Sequence, residues 1–332
     1  MKTKGINILS LFNGMSCGRI ALERAEIEVD NYYSSEINKY ALQVANENYP
    51  QDEINILGDV RLIDFTKLPK IDLLTGGSPC QNFSFSGKRN GMTTKENIEI
   101  LSLSQYLQLK SEGFEFSGQS YLFWEYMRAL KEIKPKYFLL ENVVMVEKWR
   151  NVLTEAIGID PIEINSSLVS AQNRRRLYWT NIPDIKQPED KSINLEDILD
   201  DYAMKNPSAV RGRRLNKATI LGRRLNKNGK REDYNKDIPI TQCLEVRATN
   251  TNKSNCLTTV AKDNVLTTMP IGRHPDAFNK KLPFRYYTLK ECCKLQTVPE
   301  DYFAVCSENQ ARKMLGNGWT VDVIAHIFKG IK

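Results

Sequence analysis

The chain has 332 residues, a hydrophobic content of 41% and a formal net charge of +7, enough for one large domain or a large and a small one. No apolar run approaches the roughly 20 residues that span a membrane, and the amino terminus carries no secretory signal. We therefore expect a cytoplasmic protein with no membrane partner. The seven cysteines include no Cys-x-x-Cys pair, which favours reduced thiols over a disulfide framework, and the two histidines argue against a metal site.

The amino-terminal residues predict a unit that binds a nucleotide-like ligand. An apolar run at residues 6–12 predicts a buried strand, a small-residue turn occupies residues 13–18, and a helix is expected at residues 19–25. A helix that begins behind such a turn favours a nucleotide-like ligand at its amino terminus, although a plain structural turn fits the same pattern.

Two further strands are predicted at residues 32–35 and 55–57, and a carboxylate follows each of them. Glu36 comes about 20 residues after the glycine turn, the spacing at which an acidic side chain accepts hydrogen bonds from ribose hydroxyls. Asp59 can accept a hydrogen bond from an adenine amino group, or it can simply cap the next helix.

The fourth predicted strand, residues 71–75, leads through two glycines, a serine and a proline to Cys80. In an open α/β sheet, ligands bind at the carboxyl ends of the strands. Cys80 is therefore a candidate nucleophile, with a buried structural cysteine as the alternative.

The alternation of strands and helices then continues. The next predicted elements are a helix at residues 118–133, a strand at 136–140, a helix at 147–157 and strands at 162–169 and 177–182. Glu141 follows the fifth strand, and three consecutive arginines at residues 174–176 precede the last strand. The pattern predicts an α/β protein with a doubly wound sheet whose strand ends carry chemistry-bearing side chains.

Beyond about residue 188 the alternation stops. Residues 205–283 are rich in Asn, Thr, Lys and Arg, with short β-like runs at 241–247 and 264–267, which predicts a small β-rich domain. Residues 211–231 carry nine basic side chains and no acid, which indicates a polyanion partner or, alternatively, a solvated loop. The run Gly-Arg-Arg-Leu-Asn-Lys occurs twice in this stretch, as a hairpin or a local duplication.

In their order, these motifs resemble those of the cytosine-5 DNA methyltransferase family, of bacterial or phage type. The matching elements are Leu11-Phe12-Asn13-Gly14 with Gly18, Glu36, Asp59, Pro79-Cys80-Gln81, Glu141-Asn142-Val143, Gln172-x-Arg174-x-Arg176, Arg285-Tyr-Tyr-Thr288 with Glu291, Leu295 and Gln296, and Gly316-Asn317. The chain departs from the common pattern at Ser10, Ser16 and Gly318-Trp319. The resemblance implies a Rossmann-like, doubly wound and mostly parallel sheet in a catalytic domain of residues 1–187 plus 284–332, and a β-rich target-recognition domain of residues 188–283.

The resemblance also implies a reaction. The Cys80 thiolate adds to carbon 6 of a cytosine, which makes carbon 5 nucleophilic enough to take a methyl group from S-adenosylmethionine, leaving S-adenosylhomocysteine. Glu141, protonated and partly buried, neutralises the charge at N3. Arg176 reaches O2, and Arg174 helps to hold the thiolate and a nearby phosphate.

Fourteen residues are implied as contacts of S-adenosylmethionine. They are Phe12, Gly14, Met15, Ser16, Cys17, Gly18, Glu36, Ile37, Asp59, Val60, Pro79, Leu122, Asn317 and Trp319. Among these, Phe12 would pack on the adenine and Glu36 would bind the ribose.

A duplex hides carbon 6 of its cytosines, so the target base must be flipped out of the helix. The polar, glycine-bearing segment after Cys80 suits a mobile lid over such a base. The expected DNA contacts are Gln81, Ser84, Lys88, Arg89, Arg213, Arg214, Arg223, Arg224, Arg247 and Lys253. Residues 97–109, in an insertion after the lid, have the spacing of an extra helix.

The expected partner is double-stranded DNA, bound by a monomer in a prokaryotic cell or a phage-infected host, with a separate restriction endonuclease as a companion. Two other functions fit the same residues. A tRNA cytosine-5 methyltransferase keeps the chemistry and changes the substrate, and a catalytically silent homologue keeps only the binding of DNA and S-adenosylmethionine. The large basic region argues against the first, and the presence of Cys80, Glu141 and Arg176 argues against the second.

Overall fold

The computed structural model describes residues 5–83, 91–200, 216–247 and 252–332. The chain forms two compact units. The first comprises Met1–Asn165, Arg175–Pro188 and Trp319–Lys332, and the second comprises Ser166–Arg174 and Glu189–Gly318. In the part of the chain that is described, no helix is long and apolar enough to cross a membrane.

The strands and helices follow in chain order. The strands are β1 (Ile6–Leu11), β2 (Val29–Ser35), β3 (Leu73–Gly77), β4 (Thr93–Thr94), β5 (Phe116–Ser117), β6 (Tyr137–Val143), β7 (Ile162–Asn165), β8 (Arg175–Thr180), β9 (Asn216–Arg224), β10 (Ile240–Val246), β11 (Val265–Thr267), β12 (Gly272–His274) and β13 (Phe284–Tyr286). The α-helices are α1 (Cys17–Arg24), α2 (Lys39–Asn48), α3 (Leu103–Ser111), α4 (Phe123–Ile133), α5 (Glu147–Ile157), α6 (Leu195–Ile198), α7 (Leu289–Gln296), α8 (Glu308–Asn317) and α9 (Val321–Phe328). Short 3₁₀ helices lie at Pro50–Asn55, Val60–Leu62, Phe65–Lys67, Ser120–Leu122, Ser166–Leu168 and Ala261–Asp263.

The first unit is built on a six-stranded sheet in the order β2-β1-β3-β6-β8-β7. The first four strands run parallel, and β8 is antiparallel to both β6 and β7. Their apolar runs bury both faces, as a parallel sheet flanked by helices requires. The predicted doubly wound, mostly parallel sheet is confirmed. In this sheet Leu11 pairs with Ser35 and with Gly76, and Gly77 pairs with Glu141, which brings these strand ends to one edge.

One predicted strand is wrong. Residues 55–57 form a single parallel bridge from Ile56 to Ser34, preceded by the 3₁₀ helix Pro50–Asn55. Proline favours the start of such a helix, and Gly58, at φ 72°, turns the chain directly after Leu57. Too few residues remain between these two breaks to build a ladder.

The carboxyl-terminal residues form two helices. The break at residues 318–320 separates α8 from α9, and α9 packs on α1. An ion pair of 2.6 Å between Arg24 and Asp322 joins these two helices. The helix predicted for residues 147–157 is confirmed as α5, whereas the insertion helix predicted for 97–109 begins later, as α3.

The second unit contains a five-stranded antiparallel sheet in the order β12-β10-β9-β11-β13. Its small core consists of Ala218, Ile220, Leu244, Val246, Val265 and Ala277. The second copy of the Gly-Arg-Arg-Leu-Asn-Lys run begins within β9 and continues past its end, so it is not a hairpin by itself. Most of the first copy lies outside the described residues.

The compact units differ from the predicted domains in two places. The chain leaves the first unit after Pro188, close to the expected boundary, but returns at Trp319 rather than at residue 284. β13 pairs with β11 and so extends the small sheet, and the helices α7 and α8 that follow also belong to the second unit. Residues 166–174 also belong to the second unit, where Gln172 donates to the carbonyl of Leu295 at 2.5 Å.

Candidate active site

The turn after β1 is held by side chains of its own unit. The Asn13 amide donates to Ser16 Oγ at 2.8 Å, and Tyr32 Oη donates to Asn13 Oδ1 at 2.8 Å. Phe12, Gly14 and Ser16 all have positive φ angles of 55–66°, a backbone conformation that is costly for residues other than glycine. A Cβ added to Gly14 would meet no atom within 4 Å, so the space beside this residue is open. Glycine is favoured here by the positive φ angle and not by a lack of space.

The flanks of this turn are packed. Met15 and Cys17 are buried, and a Cβ at Gly18 would lie 3.2 Å from Tyr32 Oη and 3.5 Å from the Trp319 ring. Met15 and Cys17 therefore pack in the interior beside the turn.

Glu36 closes the turn from β2. One carboxylate oxygen accepts from the Gly14 N–H at 2.7 Å, and the other accepts from the N–H groups of Ile37 and Asn38 at 2.8 and 2.7 Å. These bonds fix the carboxylate beside the open turn and leave it acceptor capacity for a hydroxyl. Ile37 is 65% exposed, so its side chain is available to a ligand.

The next strand end carries Asp59. Its carboxylate caps the 3₁₀ helix Val60–Leu62 and pairs with the Arg61 guanidinium, whose hydrogen bonds lower the pKa of Asp59. The sequence allowed two roles for Asp59, a contact with adenine or a helix cap. The structure shows the cap. Val60 is buried, and Leu122 is partly buried against the core.

A buried carboxylate that sequence reasoning missed supports this loop. Glu125, on α4, is fully buried and accepts from Tyr106 Oη at 2.5 Å, Lys110 Nζ at 2.6 Å and Arg128 Nε at 2.7 Å. The same Arg128 donates to the carbonyls of Ile63 and Val60 at 3.2 and 3.1 Å. The insertion helix α3, which carries Tyr106 and Lys110, is therefore tied through Glu125 to the loop at residues 60–63.

Glu141, Arg176 and Trp319 converge at the carboxyl edge of the sheet. Arg176 Nε lies 3.0 Å from Glu141 Oε1, and Trp319 Nε1 donates to Glu141 Oε2 at 3.0 Å. Glu141 lies within β6 and Arg176 within β8, rather than after and before strands as predicted. The ladder pairs Val143 with Arg176, which sets the arginine two residues along from Glu141.

The strand next to Glu141 leads to Cys80. A Cβ at Gly77 would lie 2.8 Å from Trp319 Nε1 and 3.1 Å from Glu141 Oε2, so a glycine is needed for the close approach. Beyond it, the Asn142 amide donates to the carbonyl and hydroxyl of Ser78 at 3.2 and 3.0 Å. Asn142, whose role the sequence did not reveal, therefore anchors the loop that carries the cysteine.

The loop itself is partly exposed. Pro79 and Cys80 are half-buried, and Gln81 is exposed. The Asn82 N–H donates to Ser120 Oγ at 3.1 Å, and the Phe83 N–H donates to the Cys80 carbonyl at 3.0 Å, which closes a turn around the cysteine. Cys80 is therefore not fully enclosed by the described residues.

Arg174 is held by groups of its own unit. Its guanidinium is buried in the second unit and donates to the carbonyls of Leu257, Gly316 and Gly318 at 3.0, 3.3 and 2.7 Å, and to Cys256 Sγ at 3.1 Å. Since these acceptors come from separate segments, Arg174 fixes the second unit internally. Asn317, the last residue of α8, is exposed in the same unit.

The predicted DNA contacts divide into three groups. Arg224 and Lys253 are occupied internally, since Arg224 donates to the carbonyls of Lys236 and Ile238, and Lys253 to those of Ser170 and Ile193. Gln81, Arg223 and Arg247 lie in described segments, Arg247 being exposed. The remaining predicted contacts lie outside the described residues: Ser84, Lys88, Arg89, Arg213 and Arg214.

Comparison with known proteins assigns the chain to a family. The chain is 35% identical over 208 residues to the orphan methyltransferase M.SPRI of Bacillus phage SPR, a match of 58% of this chain and 42% of that protein, so it spans less than half of that relative. It is 28% identical to the type II methyltransferase M1.ScrFI of Lactococcus lactis subsp. cremoris, over 97% of this chain and 77% of that protein.

A solved structure agrees at the level of the fold. The Entamoeba histolytica methyltransferase EhMeth superposes with a TM-score of 0.62 at 15% identity, covering 99% of this chain and 100% of that one. The sequence pattern of the C-5 cytosine-specific DNA methylases matches residues 6–158 and 166–332. With nearly its whole length matched, the chain belongs to the C-5 cytosine-specific DNA methylase family.

Proposed function

We propose that the protein is a DNA (cytosine-5)-methyltransferase that modifies one short duplex sequence. The observation that carries the proposal is the carboxylate of Glu141, held by Arg176 and Trp319 at 3.0 Å each, beside the strand that leads to Cys80. A nucleophile and an oriented acid on adjacent strand ends are what addition to a pyrimidine ring needs. Family membership and the names of the two curated relatives, both methyltransferases, support the same function.

The residues at the edge of β1 and β2 fit S-adenosylmethionine. The turn at Gly14 is open, the Glu36 carboxylate is fixed with acceptor capacity for ribose hydroxyls, and Ile37 is exposed beside it. Leu122, which is only partly buried, supplies apolar surface near the loop that Asp59 caps. When bound, the donor supplies an electrophilic methyl group on a sulfonium.

The chain's own residues prepare the cytosine. The Cys80 thiolate forms a bond to carbon 6, and the electron pair of the 5,6 double bond moves into the ring towards N3 and O2. Glu141 delivers a proton to N3, which leaves a neutral enamine with a nucleophilic carbon 5. After carbon 5 has taken the methyl group and lost its proton to a base, the carbon–sulfur bond breaks, the thiolate is released and the N3 proton returns to Glu141.

Arg176 and Trp319 act as positioning groups in this scheme. Trp319 donates to one oxygen of Glu141 and Arg176 forms an ion pair with the other, so together they fix the plane of the carboxyl group. Arg176 is in addition the cation proposed to meet the developing charge on O2 of the base. Arg174, occupied by carbonyls in the second unit, has no part in this step.

The five-stranded sheet of the second unit is the proposed reader of the target sequence, and Gln81 the proposed filler of the gap left by a flipped base. The first unit is then the catalytic domain. A monomer acting on DNA, with or without a restriction endonuclease that recognises the same sequence, is the proposed biological arrangement.

Covalent trapping tests the function. Incubation with S-adenosylmethionine and a duplex containing 5-fluorocytosine should yield a protein–DNA adduct on denaturing gels, because fluorine at carbon 5 blocks release of the cysteine. Cys80→Ala should abolish the adduct, and Cys306→Ala, at a half-buried cysteine of the second unit, should leave it unchanged.

Bisulfite sequencing of DNA from cells that express the protein identifies the methylated site. Methyl marks on tRNA but not on duplex DNA would replace the proposal by an RNA enzyme. Folded protein that binds S-adenosylhomocysteine but yields neither adduct nor methylation would reduce the protein to a silent binder.

A further inference from the structure

An acidic side chain in the second unit lies on the face of the sheet opposite its core. Leu244 and Val246, on β10, point into the core of that unit. Glu245, between them, points to the other face because side chains alternate along a strand. It is nevertheless almost fully buried, which is unusual for a glutamate without partners.

Three arginines from three segments surround this carboxylate. Arg223 Nε on β9 and Arg273 Nε on β12 lie 2.9 and 3.1 Å from Glu245 Oε1, and Arg247 Nη2, just after β10, lies 3.1 Å from Oε2. Burial alone would raise the pKa of Glu245, but the hydrogen bonds from the three guanidinium groups outweigh it and lower the pKa to about 2. The carboxylate is therefore ionised at any physiological pH.

The cluster is cationic. One glutamate and three arginines leave a net charge of +2, which the Asp233 carboxylate, 3.7 Å from Arg223 Nη1, reduces to +1. Arg247 has 73% of its side chain exposed and Arg273 has 36%, whereas Arg223 is mostly covered. Arg223 and Arg273 reach Glu245 through Nε, and Arg223 Nη1 also lies 3.7 Å from Asp233 Oδ2, which leaves Arg247 and Arg273 as the two arginines with substantial exposure. Guanidinium forks match phosphate oxygens.

We infer that Arg223, Arg247 and Arg273, oriented by Glu245, form a surface that binds the phosphates of duplex DNA. Glu245 is a positioning residue that holds the guanidinium planes in one arrangement, and Arg247 and Arg273 make the phosphate contacts. The inference rests on the proposed function, because duplex DNA is the polyanion that the proposed reaction supplies. Neither Arg273 nor Glu245 stands out in the sequence, since the cluster is assembled across the sheet.

Salt dependence of DNA binding tests the surface. Fluorescence anisotropy at several salt concentrations measures the affinity of the full chain for two duplexes. One contains the target sequence of the enzyme, as identified by bisulfite sequencing, and the other does not. Arg247→Ala and Arg273→Ala should each reduce the slope of log Kd against log salt by about 0.9, the value for one phosphate contact. Lys67→Ala is the control, since Lys67 is 80% exposed and precedes β3, at the amino edge of the large sheet.

Glu245→Gln separates positioning from charge. The variant loses one negative charge, so its affinity for a duplex without the target sequence should be equal or higher. Its preference for the duplex with the target sequence should fall about tenfold. A purely structural role would lower the thermal stability and leave that preference intact, which would overturn the positioning role. If this variant does not fold by circular dichroism, the two arginine variants still decide the DNA contact.

Other outcomes are equally decisive. If the slopes for Arg247→Ala and Arg273→Ala equal that of Lys67→Ala, the two arginines do not contact phosphates and the proposal fails. The proposal also fails if the two variants bind an acidic polypeptide, poly-glutamate, more weakly than wild type does but bind DNA equally well. Failure of the proposed function is distinguishable, because the wild-type chain would then give no adduct with 5-fluorocytosine DNA while anisotropy still reports on the arginines.

Discussion

Replacement of Glu125 by glutamine should destabilise the first unit by about 3 kcal/mol. The carboxylate is fully buried and accepts from Tyr106, Lys110 and Arg128. Removing one partner of a buried ion pair costs roughly 3–5 kcal/mol because the other charge stays desolvated. The lower end applies here, since Lys110 has 36% of its side chain exposed and can turn to water, whereas Arg128 cannot.

Urea unfolding followed by tryptophan fluorescence measures this change. All four tryptophans, Trp124, Trp149, Trp179 and Trp319, lie in the first unit, so the signal reports on that unit alone. Glu132→Gln is the matched control on the same helix. Glu132 pairs with Arg128 at 3.5 Å but is 41% exposed, so its loss should cost less than about 1 kcal/mol.

The difference between wild type and Glu125→Gln should depend on pH. Burial raises the pKa of Glu125, but the hydrogen bonds from Lys110, Tyr106 and Arg128 lower it by more than burial raises it. The pKa in the folded protein therefore lies below the ordinary value of 4.5. A depressed pKa contributes stability above the unfolded value that is lost as the pH falls through the folded value. The gap should be full at pH 7 and shrink below about pH 4.5.

Equal free energies of unfolding for Glu125→Gln and Glu132→Gln at pH 7 would refute this reasoning. So would a gap that widens in acid. Because Arg128 also holds the carbonyls of Val60 and Ile63, the variant should in addition bind S-adenosylhomocysteine more weakly by isothermal titration calorimetry. An unchanged affinity for S-adenosylhomocysteine would show that the hydrogen bonds around Glu125 do not influence the loop at residues 60–63.

Three substitutions test the site directly through the rate of methyl transfer. Gly77→Ala should lower kcat about tenfold or more, since its Cβ would lie 2.8 Å from Trp319 Nε1, and a normal rate would show that this approach is not needed. Trp319→Phe removes one hydrogen bond to the Glu141 carboxylate and should cost about tenfold in kcat/KM. Asn142→Ala frees Ser78 and should slow adduct formation without changing S-adenosylhomocysteine affinity; an equal loss of both would indicate general misfolding instead.

Sequence reasoning was most successful where local pattern and covalent order carry the information. The strand before Cys80 and the helix Glu147–Ile157 follow from apolar runs and spacing, and both are present. The strand predicted at residues 55–57 failed because strand pairing depends on a neighbour as well as on apolar content. Only Ile56 finds such a neighbour, in Ser34.

The sequence alone determined the family pattern, the doubly wound sheet and the candidate pair Cys80 and Glu141, because strand ends and short motifs are encoded locally. Tertiary structure alone decided which charged groups meet. Glu125 meets Lys110 from another helix, Glu245 gathers arginines from three segments, and Arg174 turns out to be committed to carbonyls. These partners lie far apart in the chain. Because an ion pair or hydrogen bond depends on a distance of about 3 Å, only the folded backbone specifies them.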